Sequence, residues 1–307
     1  MASLRDIRNR ITSVRNTQQV TRAMKMVAAA KLRKAQERIF RTRPYAFKIG
    51  EIISHLKGQV DPATHPLFMP RPEATGVLLI IVTADRGLAG AFNTNIIKLA
   101  ETAIQEQYAG AHERGDLYLI CVGRKGHDHF RKRGYQLVGD FRGVFNDLSF
   151  DTVQAVMKLA IDGYLEDRWG EVAVVYNEFR NTIAQNRIVE PLLPIRAEQF
   201  LTPVMRQEIE HQAEVKPGQE VDYIFEPDAA TILEALVPRY LNYQLWRVLL
   251  ESNAAEQGAR MVAMDNATSN AEELLRTLKL QYNRARQDAI TTELIEIVSG
   301  ANALEAG

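Results

Sequence analysis

The sequence predicts an α/β protein joined to a coiled coil: two long terminal helices paired antiparallel, with a domain of alternating strands and helices between them. Three observations carry this. Residues 1–43 contain no proline or glycine and repeat apolar residues at coiled-coil spacing. From Arg239 to Ser299 there is again no proline, and one glycine, Gly258. Between these stretches, short apolar runs alternate with helical periodicity in the order βαβαβ. The expected limits are 1–58 for the first helix, 59–226 for the central domain and 227–307 for the second helix, which packs on the first.

The N-terminal helix opens at Ser3, with Asp6 three residues on in the form of a capping box. Leu4, Ile7, Ile11 and Val14 set a seam that resumes at Ala28, Leu32, Ala35 and Ile39. Between these stretches Gln18, Thr21 and Lys25 occupy the seam, while Val20, Met24 and Val27 carry the apolar face sideways. Pro44 is expected to kink or end the helix. A second helical stretch then runs from about Tyr45 to Lys57 and stops at Gly58.

Pro227-Asp228 opens the last helix, Pro238 interrupts it and Gly300 ends it. Its seam reads Leu250, Ala254, Met261, Met264, Ala271, Leu275, Leu278, Tyr282, Ala285 and Ala289, with Gln257 and Thr268 as polar members. About 60 residues at 1.5 Å each span roughly 90 Å. A helix of that length and only half apolar needs a partner along it, and the other terminal helix is the simplest one. This reading puts the two chain ends at opposite ends of a two-stranded rod, with the middle of the chain emerging from one end.

In the middle, Val77–Val82 has the continuous apolar character of a strand buried on both faces. A helix over about 93–107, a strand at 117–122, a short helix at 125–132, a helix at 150–165 and a strand at 171–179 follow. This order predicts a Rossmann-like domain with a small parallel sheet and right-handed crossovers. Residues 183–193 read as an added edge strand, and residues 201–221, rich in Glu, Gln and Lys, as a solvated loop or insertion.

Composition and motifs exclude several classes. The longest apolar run has six residues, Val77–Val82, against the roughly 20 a membrane helix needs. The first residues lack the apolar centre of a secretory signal. The single cysteine, Cys121, lies in a predicted strand and reads as an inert core thiol. Thr83-Ala84-Asp85-Arg86-Gly87-Leu88-Ala89-Gly90 sits between strand and helix where a nucleotide loop would lie. Its glycines are spaced G-x-x-G rather than G-x-G-x-x-G, and no P-loop motif occurs anywhere. Those glycines read as allowing strand and helix to pack closely. His127 and His129 lack a third ligand at metal-binding spacing. No cofactor, no metal and no catalytic constellation is expected.

The formal charge of zero hides an asymmetry. Residues 1–43 carry twelve Lys/Arg against two acids, Asp6 and Glu37, a net of +10, so the rest of the chain carries −10. A basic helix of this kind suits an acidic partner, nucleic acid or an anionic membrane; part of the charge is met by the acidic remainder of the chain. Basic density and polar interruption of the seam coincide over Thr17–Lys34, a combination a plain spacer helix does not need.

Two long stretches, Arg10–Thr17 with Thr21–Gln36 and Tyr282–Ala301, resemble the γ-subunit family of F-type ATP synthases. So do Asp85–Gly90 followed by Asn93, and Ala259–Met264. Many members carry Cys where this chain has Ala89. The resemblance covers the whole chain in order. It implies a shaft that couples proton-driven rotation of a c-ring to ATP synthesis or hydrolysis on β subunits, without an active site of its own. The implied partners are the α/β hexamer, the ε subunit and the c-ring, with one copy of the chain per complex, no nucleic acid and no membrane span. The family's β-contact positions carry over to Met24, Arg260, Gln287 and Thr291. Arg286, Glu293 and Glu296 are neighbours in the same motif, and the cations at residues 22–38, Lys25, Arg33 and Lys34 among them, are implied to face acidic loops on β. With one cysteine the chain lacks the paired-cysteine switch of plant-type members. This favours a bacterial chain, peripheral on the cytoplasmic face of the plasma membrane, over a processed mitochondrial one. Two readings from other classes compete: a basic coiled-coil nucleic-acid-binding scaffold, and a dinucleotide-dependent enzyme built on the central domain.

Overall fold

A computed structural model describes residues 3–59, 65–182, 184–195 and 228–305. The expected loop at 201–221 lies outside them. The chain divides into two compact units: residues 1–28 with 260–307, and residues 29–259. Two helices contribute to both, α1 (Leu4–Gln59) at the start and a long helix (Ala229–Glu305) at the end.

In the larger unit, β1 (Val77–Val82) is followed by α2 (Phe92–Glu106), α3 (Ala109–Arg114) and β2 (Leu117–Val122). Then come α4 (Arg124–Lys132), β3 (Gln136–Leu137), a 3₁₀ turn (Val144–Asn146), α5 (Phe150–Leu165), β4 (Glu171–Phe179) and β5 (Gln185–Leu193). The long C-terminal helix is α6. The sheet order is β3-β2-β1-β4-β5. The first four strands are parallel, and β5 runs antiparallel to β4. The edge placement of β5 suits Pro191, which has no N–H to give a ladder, and the β4–β5 register shifts beside it at Val172/Ala173.

Alternation along the strands divides the core. Leu79, Ile81, Leu119, Cys121, Ala173 and Val175 bury against Ile96, Ala100, Ala103 and Ile104 of α2 and Phe130 of α4. Burial pushes the Cys121 thiol up from 9.0 to about 12, so it stays protonated and inert at neutral pH. On the other side, Phe150 at the start of α5 packs on Tyr243 and Trp246 of α6, and Tyr45 of α1 packs on Tyr243 with ring centroids 4.3 Å apart.

Several expectations change. Pro44, Pro238 and Gly300 do not end their helices; α1 and α6 run through all three, while α1 ends at Gln59, next to Gly58. Proline costs a helix one backbone hydrogen bond, but flanking packing outweighs that loss: Ile39 and Ile49 are buried around Pro44, and Leu233, Val237 and Leu241 around Pro238. The short α3 and β3 had no periodicity long enough to read. The helix starts behave as expected. Ser3 Oγ accepts from the Asp6 N–H at 3.2 Å and Asp6 Oδ2 accepts from the Ser3 N–H at 3.1 Å, a reciprocal box. Asp228 Oδ1 accepts from the Thr231 N–H at 2.8 Å, a bond that holds the Asp228 carboxyl below the usual carboxylate range.

The glycine reading of the first strand-to-helix turn also changes. A Cβ on Gly87 would meet nothing closer than 3.8 Å, so no tight packing needs that glycine. Gly90 has a left-handed backbone, φ +57°, which glycine adopts without strain. The close approach is elsewhere: a Cβ on Gly123 would lie 2.0 Å from the Thr83 carbonyl oxygen.

Candidate functional site: the paired helices and the turn after the first strand

Three side-chain contacts pair α1 with α6 in the smaller unit. Arg8 Nη2 donates to the Tyr282 hydroxyl at 2.8 Å, with the guanidinium 5.8 Å from the ring centroid. The hydroxyls of Thr21 and Thr268 are 2.8 Å apart. Lys25 Nζ lies 2.6 Å from Asp265 Oδ1. The residue numbers in each pair add to 289 or 290, which only antiparallel helices in constant register produce. The two chain ends therefore lie at the same end of this segment, not at opposite ends as the sequence reading had it. In an antiparallel pair α1 leaves from the place to which α6 returns.

The seam follows the sequence pattern. Leu4, Ile7, Ile11, Val14 and Gln18 are half-buried and Thr21 is buried; on α6, Met264, Ala271, Leu275 and Leu278 are buried, and Ala289 is exposed. Each hydroxyl also has a backbone carbonyl of its own helix within reach, Gln18 for Thr21 (3.0 Å) and Met264 for Thr268 (2.7 Å), so one hydroxyl gives its single proton to its carbonyl while the other gives its proton across the pair. Two hydroxyls facing each other inside an apolar seam tolerate only a narrow range of registers, the use best attested for a polar pair in a coiled coil.

The residues singled out from the sequence fall into three settings. Arg286, Gln287, Thr291, Glu293 and Glu296 are exposed on α6, and Thr291 Oγ1 donates to the Gln287 carbonyl at 2.9 Å. Met24 and Lys25 are half-buried and Arg260 is buried. In the larger unit Arg33 and Lys34 are exposed, and Arg33 Nε is 3.3 Å from Glu37 Oε1, an exposed pair of small energetic weight. Lys31, Lys34 and Arg38 line one side of a groove of about 190 Å³. Its other walls come from Phe145–Leu148 and from Asn253 and Gln257 of α6. Sequence reading missed the 145–148 wall, which lies over 100 residues from the cations it faces.

Large apolar side chains also stand in solvent in the smaller unit: Val20, Met26 and Val27 on α1, and Ile290, Leu294, Ile295, Ile297 and Val298 on α6. Isolated exposed apolar residues are ordinary, but groups of them mark surfaces that something covers.

The turn after β1 is built differently from a nucleotide loop. Asp85 Oδ1 accepts from the backbone N–H of Arg124 at 2.9 Å and of Gly143 at 2.7 Å, and Oδ2 accepts from that of Phe145 at 3.0 Å. The start of α4, where a helix offers its N–H groups to an anion, is thus occupied by the chain's own carboxylate. Asn93 closes the turn: its Oδ1 accepts from the Ala84 N–H at 2.8 Å. The motif is a staple that holds residues 143–145 to the end of the sheet. Asp85→Ala strands three backbone donors and is expected to cost about 2–3 kcal/mol, read as a lower denaturation midpoint at unchanged secondary structure. His127 is buried, and His129 Nε2 lies 2.8 Å from Glu101 Oε1, so the two do not converge on one site. Among the described residues no group of His, Cys, Asp and Glu could hold a metal ion, and no helix is long and apolar enough to cross a membrane.

A sequence model of the ATP synthase family matches residues 3–304. The chain belongs to the ATP synthase gamma chain family. It is 63% identical over 305 residues to the ATP synthase gamma chain of Salinibacter ruber, covering 99% of each chain. It is 52% identical to that of Chloroherpeton thalassium, again over 99% of each. Among solved structures, a chain of the Euglena gracilis mitochondrial ATP synthase rotor superposes with TM-score 0.63 at 20% identity, covering 94% of this chain and 98% of that one. A chain of the Tetrahymena thermophila central stalk and c-ring does so with TM-score 0.54 at 24% identity, covering 81% and 99%. At these identities the structural likeness concerns the fold: terminal helices around a central mixed sheet. Family membership leaves the nucleic-acid scaffold and the dinucleotide enzyme without support, and it gives the paired helices and the stapled turn a common setting, a subunit of a rotary ATP synthase.

Proposed function

We propose that this chain is the rotor shaft of its ATP synthase and carries no active site of its own. Within the enclosing assembly the paired helices turn inside the hexamer of α and β subunits. The central domain and the base of the helices hold the ε subunit and the c-ring, with one copy of the chain per complex. The domain limits at 1–58, 59–226 and 227–307 mark these shares. The complex sits peripherally on the cytoplasmic face of a bacterial plasma membrane. The observation that carries the reading is the smaller unit itself: a register-locked antiparallel pair whose outer surface leaves apolar and charged side chains uncovered.

The contact residues divide by chemistry. Met24, Arg260, Gln287 and Thr291 meet the catch loops of β, with Arg286, Glu293 and Glu296 beside them. Lys25, Arg33 and Lys34 present positive charge to acidic loops. A shaft with threefold symmetry would show every β subunit the same face. Two unlike helices, one strongly basic, give each β a different face at any moment. Contact that differs between open and closed β conformations shifts their populations, and by linkage the nucleotide states on β push back on the shaft.

Two experiments test this. Co-expression with the cognate α and β subunits is expected to yield a complex containing one copy of this chain, with ATPase turnover that depends on it. Failure to assemble with well-folded α and β overturns the reading. Reversing Arg33, Lys34 and Arg38 together to glutamate is expected to leave assembly intact and to weaken proton-driven ATP synthesis about tenfold, the upper range for coupling changes. Unchanged synthesis removes the basic residues from the mechanism.

A further inference from the structure

The face of α6 that meets the sheet is unusually polar for a buried surface. Gln244, Arg247 and Glu251, which share that face, are buried, and Arg247 is 1% exposed. Arg247 makes three hydrogen bonds: Nη2 to Glu190 Oε1 at 2.6 Å, Nη1 to the Tyr176 hydroxyl at 2.9 Å and Nε to Gln244 Oε1 at 3.0 Å. The Glu251 carboxylate lies 3.8 Å from Nη1. Tyr176 donates its own proton to Glu190 Oε2 at 2.8 Å, so one carboxylate grips both groups. Tyr176 is on β4 and Glu190 on β5, on the same face, because Glu190 pairs with Val174 in the ladder and Val174 and Tyr176 are two residues apart. A second tie lies further along: Gln185 Nε2 donates to the Ala255 carbonyl at 2.7 Å. Residues 247 and 255 are about 12 Å apart along the helix axis.

Burying an ion pair is rarely the most stable way to fill a core; an apolar set of similar volume commonly does as well or better. What directional bonds supply is a unique angle and a unique position. Apolar contacts alone let a helix roll or slide on a sheet at little cost, since the hydrophobic effect has no direction. A fork of hydrogen bonds at one point and a backbone tie about 12 Å away oppose both movements.

We propose that Arg247, with Glu190, Tyr176 and Glu251, is a positioning group for energy coupling: it locks α6 to the sheet against axial rotation, so that turning force passes between sheet and helix without slip. This rests on the rotor reading above. The assembled complex in inverted vesicles provides the test, by ATP hydrolysis rate and by ATP-driven acidification measured together. The all-apolar variant R247M/E190L/E251L/Y176F keeps the joint filled while removing its direction. It is expected to hydrolyse ATP at the wild-type rate with the acidification per ATP reduced about threefold. Arg247→Lys, which keeps the charge but not the fork, is expected to fall between the two. Thermal denaturation of each variant separates positioning from fold. Full acidification per ATP in the apolar variant overturns the proposal, and so does a loss that a stabilising change elsewhere in the chain restores. Failure of the rotor reading shows differently, as wild-type complexes in which this chain supports no acidification at all.

Discussion

Gly123→Ala is expected to destabilise the central domain by roughly 2–5 kcal/mol, combining left-handed backbone strain with forced overpacking. Gly123 has φ +99°, where a side chain is strained whatever space surrounds it, and its Cβ would lie 2.0 Å from the Thr83 oxygen. That oxygen is backbone at the end of β1, so relief requires moving a strand at the centre of the sheet. Gly134→Ala is the control. Its φ is +80° but nothing lies within 4 Å of the position a Cβ would take. It is expected to lose only the strain, about 1–2 kcal/mol. Denaturant midpoints followed by tryptophan fluorescence give both numbers, and equal losses would show that the contact with Thr83 relaxes freely. The reporters are well placed, since Trp169 and Trp246 both lie in the larger unit.

The second large effect belongs to Arg247. Arg247→Met leaves Glu190 and Glu251 facing an apolar side chain, with Glu251 fully buried. Removing one partner of a buried ion pair costs about 3–5 kcal/mol, because the remaining charge keeps its desolvation penalty and loses its compensation. The apolar variant that removes the carboxylates and the phenol together is expected to recover most of that loss. The order of stability is then wild type close to the apolar variant, with Arg247→Met far below both. A single mutant as stable as wild type would mean that water or another cation reaches the carboxylates.

Much of the fold was legible because it depends on periods within the chain. The strands at 77–82, 117–122 and 171–179 and the helix at 150–165 have the same limits in the structure as in the sequence pattern, since a continuous apolar run or a helical stripe is a local signal. The seam of the terminal helices was legible for the same reason. The helix ends were not. Proline and glycine weigh against a helix locally, but at Pro44 and Pro238 the outcome is set by residues far away in sequence that bury Ile49 and Val237. The end-to-end arrangement follows from the antiparallel register itself: α1 begins beside the stretch where α6 finishes, so both helix ends share one end of the pair.

The candidate contact residues were named by likeness to a family, and the structure adds their settings rather than their roles. Thr21 stood out as a polar break in the seam; its partner, Thr268, is 247 residues away, and no period links them. Asp85 was noted within a motif, but its work of holding the 143–145 turn comes from backbone groups whose identity no side-chain pattern records.

The sequence by itself determined the element types, the two-helix pairing and the charge asymmetry, because each follows from residue spacing along one stretch of chain. Only the tertiary structure decided that the helices pass through their prolines, that the close approach is at Gly123, and that Arg247 meets a carboxylate of β5 and a phenol of β4. Those outcomes depend on which distant groups share a small volume, where a single directional bond or a single clash outweighs the local preference of a residue.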